Sequence, residues 1–122
     1  MAGIYDISYK GKTIFCLDIA GLQLKDKPQF NKYIEQAKAQ IRTHAKKSLL
    51  VITYVKETGF DSEVANTIKN YAAHNTPYVK ASAVVGIAGL QKIILTTIKT
   101  LTGRDFYIAE TMEEAKEWLV NQ

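Results

Sequence analysis

A chain of 122 residues with 47% hydrophobic and 23% charged residues has the size and apolar content of one domain, residues 1–122, with its own core. Its net charge of +4 is placed as ten Lys/Arg against six Asp/Glu in residues 1–61 and six against six in residues 62–122. That excess is mild and has no aromatic-interleaved basic motif, which argues against nucleic acid as a partner.

The single cysteine, Cys16, excludes an intrachain disulfide, and its apolar neighbours mark it as a buried thiol. A reducing compartment fits. No apolar signal core opens the chain and no run reaches the length of a membrane span, so the expected location is the cytoplasm.

Residues 4–9 alternate as a strand. Lys10-Gly11 is a two-residue hairpin turn, and Thr13 to Ile19 is the returning antiparallel strand. Its Ile14-Phe15-Cys16-Leu17 run is apolar on both sides, so it belongs inside the sheet. Asp26 and Pro28 mark the start of a helix over 28–46, with Phe30, Ile34, Ala37, Ile41 and Ala45 on its buried face. Ser48 to Val55 is a near-continuous apolar run, the pattern of a central parallel strand. Asp61 or Ser62 caps a second helix with Val64, Ala65, Ile68, Tyr71 and Ala72 inward, and Asn75-Thr76-Pro77 ends it.

The stretch from Tyr78 to Arg104 is the most strongly patterned. Val79, Ala81, Ala83 and Val85 line one side of a strand, with Lys80, Ser82 and Val84 on the other. Gly86 and Gly89 punctuate a tight turn. A third helix then buries Leu90, Ile93, Ile94, Thr97, Ile98 and Leu101, with Gly103 at its C-terminal cap. Asp105 to Ala109 is a short last strand. Thr111-x-x-Glu114 is a capping box for a fourth helix that buries Met112, Ala115, Trp118 and Leu119.

The order ββαβαβαβα describes an α/β domain: a mostly parallel five-stranded sheet with an antiparallel N-terminal edge strand and four helices. With strands in chain order and right-handed crossovers, all helices would share one sheet face. The other face, carrying Tyr5, Ile7 and Tyr9, would stay partly bare and offer a homodimer surface.

Few residues offer chemistry. Asp18 ends an apolar strand, either as a functional carboxylate or as the cap of a turn. His44 and His74 have no second ligand at metal spacing. Gly86-x-x-Gly89 with Lys92 is a strand-to-helix turn or an anion site, without a full dinucleotide or Walker motif. No nucleophile–base pair and no paired carboxylates stand out. The expectation is a non-enzyme with no cofactor and no metal.

The chain resembles the STAS-like group, which includes anti-sigma-factor antagonists and the cytoplasmic domains of sulfate transporters. The resemblance rests on the element order and four local features: the hairpin with Asp18, the Phe60-Asp61-Ser62 run, the fourth strand with its glycine turn, and the closing Glu113 to Leu119 helix. The last two look most like a small bacterial branch of STAS/SEC14 type. Antagonists of this group carry Asp-Ser-Ser-Gly after the third strand, and a partner kinase phosphorylates the first serine. Asp61 matches that Asp and Ser62 that Ser, while Glu63 and Val64 replace the rest.

The resemblance implies a regulatory module that binds a protein partner, a kinase or an anti-sigma-like regulator. The contact would be a rim of loops at the carboxyl ends of the parallel strands. Its expected residues are Asp18, Gly59, Asp61, Ser62, Gly86, Gly89 and Lys92, with Ser62 a phosphorylation site. The alternative is a SEC14-like carrier of a small apolar ligand or lipid, with its groove between helices.

Overall fold

Tyr9 and Lys12 face each other across the Lys10-Gly11 turn. Both turn residues have positive φ, 49° and 79°, so the hairpin closes with the twist its strands require. It joins β1 (Gly3–Tyr9) and β2 (Lys12–Asp18). The structure is a computed structural model. It describes residues 3–89, 92, 95, 96, 99, 100, 103 and 105–122.

After the hairpin come α1 (Lys27–Ile41), β3 (Leu49–Tyr54), α2 (Ser62–Asn75), β4 (Val79–Val85), β5 (Tyr107–Ala109) and α3 (Met112–Val120). The strands lie in chain order, β1-β2-β3-β4-β5. β1 is antiparallel to β2, and every other pairing is parallel. This is the expected sheet. The described residues give bounds for three α-helices rather than the expected four, and those described within 90–101, Lys92, Leu95, Thr96, Lys99 and Thr100, are helical. The helix expected at 90–101 carries its buried stripe on residues outside the description. At its expected end, Gly103 has φ 70° and donates its N–H to the Lys99 carbonyl at 2.9 Å.

The sheet is covered on both sides. Phe15, Leu17 and Ile19 pack with Phe30, Ile34, Ala37 and Ile41 of α1 and Val64 and Tyr71 of α2. On the opposite face Ile14, Cys16, Leu50, Ile52, Ala83 and Val85 pack against Ala115 and Leu119 of α3. The bare face expected from the sequence is therefore occupied by α3. The handedness rule governs helices that link two parallel strands. No described strand follows α3, so it is free to take the empty face. Tyr9 donates to Glu117 at 3.1 Å and Lys12 to the Val120 carbonyl at 3.0 Å, which hold α3 across the hairpin.

Four local readings change. The register between β3 and β4 shifts after the first pair, so that Leu49 pairs with Val79 and Leu50 with Ala81. Lys80 is the extra residue of a bulge. Val79 consequently faces α1 and α2, while Ala83 and Val85 face α3.

α1 ends at Ile41 rather than 46, which leaves Ala45 exposed. The Thr43 N–H, at 3.2 Å, and its hydroxyl, at 2.6 Å, both go to the Gln40 carbonyl, closing the turn before another helical bond forms. At the start of α1, Asp26 does not cap with its side chain. Its carboxylate accepts the Gln23 N–H instead, at 2.9 Å. At the C-terminal end, Trp118 is half-buried, stacked on Tyr107 with ring centroids 4.7 Å apart.

Candidate functional site

The loops leaving β2, β3 and β4 are hydrogen-bonded beyond the last strand residues. Ile19 N–H donates to the Tyr54 carbonyl at 3.0 Å, Val55 N–H to Val85 at 2.9 Å, and Gly21 N–H to Lys56 at 3.0 Å. Gly59 N–H reaches the Leu22 carbonyl at 2.8 Å. The buried Thr58 hydroxyl donates to the Ile19 carbonyl at 2.8 Å, and Gln23 Nε2 to the Glu57 carbonyl at 2.8 Å. So many short-range bonds between separate loops make this end of the sheet a fixed surface.

Two glycines permit the close approach. A Cβ on Gly86 would stand 2.7 Å from Lys56 Cβ, and its φ is 87°. A Cβ on Gly59 would meet Leu24 N at 3.1 Å. Gly89, by contrast, has nothing within 4 Å, and only its φ of 56° selects glycine.

Asp18 lies below the rim, buried. Its Oδ1 accepts the Ala20 N–H at 3.1 Å and its Oδ2 the Tyr5 hydroxyl at 3.2 Å, so it caps the turn that follows β2. Burial pushes the Tyr5 hydroxyl above its ordinary pKa, helped by the neighbouring Cys16 and Asp18. Burial likewise pushes the Cys16 thiol up to about 11, against the lowering effect of its hydrogen bond with Tyr5. Cys16 is thus a neutral thiol near pH 7, not a nucleophile.

Asp61 is the N-cap of α2, and its Oδ1 accepts the Val64 N–H at 2.9 Å. Lys27 Nζ lies 2.6 Å from Asp61 Oδ2 and 2.8 Å from Glu63 Oε1, joining the starts of α1 and α2. This ammonium, and then the Val64 N–H, hold the Asp61 carboxyl below its usual value. Lys27 is raised in turn by Asp61 and Glu63. Ser62 is exposed at the first position of the helix.

Beside this network opens a cleft of about 1100 Å³. Tyr54, Phe60, Ile87, Ile108 and Met112 give it apolar surface, and Lys56, Glu57, Lys92 and Glu110 add charge. Gly86 and Lys92 line it, but Asp18, Gly59, Asp61, Ser62 and Gly89 do not. The expected rim residues therefore divide into a floor (Asp18, Gly59), a wall of the cleft (Gly86, Lys92), a helix start to one side (Asp61, Ser62) and a loop position (Gly89).

The sequence reading missed Ile108, Glu110 and Met112. The signal was present, because β5 is also parallel and its carboxyl end opens on the same side. Ile108 is 45% exposed, the most exposed of the large apolar side chains described.

Neither histidine belongs to this end. His44 follows α1 and His74 ends α2, about 20 Å of helix away from the rim. Among the described residues no group of three or more His, Cys, Asp or Glu could hold a metal ion. No helix among them is long and apolar enough to cross a membrane. A second, interior cavity of about 50 Å³ lies between β3, β4 and α2, lined mainly by Val51, Val55, Tyr71, Val84, Leu95 and Phe106.

No family model matches the chain, and no curated protein matches it in sequence. Among solved structures, an uncharacterized protein of the DUF3478 family from Shewanella loihica PV-4, described as having a SpoIIAA-like fold, is similar to it. The two are 20% identical with a TM-score of 0.67, over 98% of this chain and 95% of that one. At this identity the likeness establishes the fold alone. The chain has a SpoIIAA-like, that is STAS-like, α/β fold.

Proposed function

We propose that this chain is a non-enzymatic regulatory module that holds a protein partner in the cleft at the carboxyl ends of its parallel strands. The cleft is the observation that carries the reading. Apolar Phe60, Ile87, Ile108 and Met112 are set among Lys56, Glu57, Lys92 and Glu110, the apolar centre and charged margin of a protein interface. Its lining residues Tyr54, Lys56, Glu57 and Val85 accept main-chain or side-chain hydrogen bonds from neighbouring loops at their carbonyls, so little ordering of that wall is required on binding. The fold agrees with this use, as the resemblance to anti-sigma-factor antagonists implied.

The test is affinity capture from the native cell with three baits: wild type, Ile108→Glu and Pro77→Glu. A partner retained by wild type and Pro77→Glu but lost by Ile108→Glu supports the cleft. Retention by Ile108→Glu with loss by Pro77→Glu places binding at the other end and removes the proposal.

Regulation at Ser62 belongs to the same reading. A phosphoryl group there would meet the start of α2 and the Lys27 ammonium, both favourable to its charge. Glu63 would oppose it. An increase of one phosphate in intact mass from native cells, absent in Ser62→Ala, is expected. An unmodified wild-type protein under all growth conditions would remove this part.

The carrier reading rests on the interior cavity. At about 50 Å³ it is far below the roughly 300 Å³ and upward of small-molecule sites, so a lipid would enter only with the helices displaced. Native mass spectrometry showing a co-purified lipid would favour the carrier over the module.

A further inference from the structure

β1 is a seven-residue edge strand, whereas the opposite edge, β5, has three residues. Natural edges are blunted by shortness, proline, bulges or lysine. β1 has no proline, and its register with β2 is unbroken from Gly3 to Tyr9. In a two-residue hairpin the residues flanking the turn form a hydrogen-bonded pair. Tyr9, Ile7 and Tyr5 therefore aim their main-chain groups at β2, and Ser8, Asp6 and Ile4 aim theirs outward. Among the described residues no loop or cap hydrogen bond reaches Ile4, Asp6 or Ser8. Tyr5, on this edge, is 42% exposed.

We propose that β1 is the contact strand of a two-fold dimer of this chain, pairing antiparallel with its own copy about Ile7. The outward hydrogen-bonding residues fix the candidate registers. Centring on Asp6 would set two Asp6 carboxylates opposite each other, which is unfavourable. Centring on Tyr5 would carry Ser8 and Tyr9 past the start of the partner strand. Centring on Ser8 would bring Lys10 and Gly11 into the ladder, and both have positive φ. Centring on Ile7 pairs residues 5–9 of both strands within β1, and the ladder ends before Ile4 and Gly3 would reach the partner strand's turn.

In that register Ile7 meets its copy and Tyr5 meets Tyr9, an aliphatic and aromatic row on the face that carries α3. On the other face Asp6 meets Ser8, an acceptor opposite a hydroxyl donor. This self-complementarity is what selects a second copy rather than an unrelated peptide. The two sheets become one of ten strands, and the contact is isologous. The interface lies along the sheet edge and leaves the cleft open.

The experiment is sedimentation velocity on the wild type, with single-cysteine probes under mild oxidation. Ile7 occupies a non-hydrogen-bonded site with Cα atoms about 4.5 Å apart, within disulfide reach. Ile7→Cys should form an intermolecular disulfide and Ser8→Cys should not, while wild type, with only the buried Cys16, reports the background. Ser8→Pro removes one outward N–H without touching the β2 ladder, so it should be a folded monomer by circular dichroism and sedimentation. A monomeric wild type at high concentration overturns the proposal, as does equal crosslinking of Ile7→Cys and Ser8→Cys or a folded Ser8→Pro that stays dimeric. Should Ser8→Pro fail to fold, the two cysteine variants decide alone.

Discussion

Gly86 and Gly89 are three residues apart and face different demands. Gly86 is in the left-handed region and in contact with Lys56, so Gly86→Ala combines backbone strain with a clash. A loss of about 3 kcal/mol is expected in urea unfolding. Gly89 is strained without a neighbour, and Gly89→Ala should lose only about 1 kcal/mol. Equal losses would mean that the β3 and β4 loops are not packed as described. The sequence signalled both turns, but a glycine pattern does not say which one has another loop against it.

Asp61 and Cys16 give two further tests. The folded-state pKa of Asp61 is lowered from its ordinary 3.8. Its stabilisation is therefore fully present above pH 3.8 and lost as pH falls through the lower, folded-state value. Asp61→Asn keeps a capping oxygen but not the charge facing Lys27. Its melting temperature should lie below wild type at neutral pH and converge with it on acidification. A gap independent of pH would show that the charge has no part in it. Cys16 should ignore a thiol reagent such as dithionitrobenzoate in the native protein at pH 8 and react fully once unfolded. Rapid native reaction would contradict its burial. That burial was readable from the apolar run, whereas the Tyr5–Asp18 bond beside it was not, because it joins residues 13 apart through the hairpin.

At the level of the elements, α3 is the described helix that closes the second face. Leu119 is fully buried there, and Leu119→Ala should lose about 3 kcal/mol by thermal or urea unfolding. Thr111, whose hydroxyl accepts the Glu114 N–H at 3.1 Å, should lose about 1 kcal/mol as Thr111→Ala. A Leu119→Ala variant as stable as wild type would mean that the face does not need this helix. The periodicity of α3 and its cap were plain in the sequence. The face it occupies was not, because periodicity identifies a buried stripe without saying what buries it. The bulge at Lys80 was hidden for a related reason. The period of 2 reads cleanly from Val79 to Val85, and the phase slip becomes visible only against the pairing of β3. The end of α1 was obscured because Ala45 continues the apolar spacing while Thr43 has already closed the helix.

For the molecule as a whole, the strand order, the antiparallel edge and the parallel remainder were all legible, because each strand–helix unit constrains the next. The site was legible only as a region. Loops at carboxyl ends follow from topology, but the division into a hydrogen-bonded floor and an open cleft depends on which loops touch. Ile108 and Met112 emerge only when β5 takes its place beside β4. The most direct measurement is photo-crosslinking in the native cell with a photoreactive phenylalanine at residue 108 or at residue 77. A discrete protein adduct from position 108, and none from position 77, is the expected result. An adduct from position 77 alone, or none from either, would contradict partner binding in the cleft.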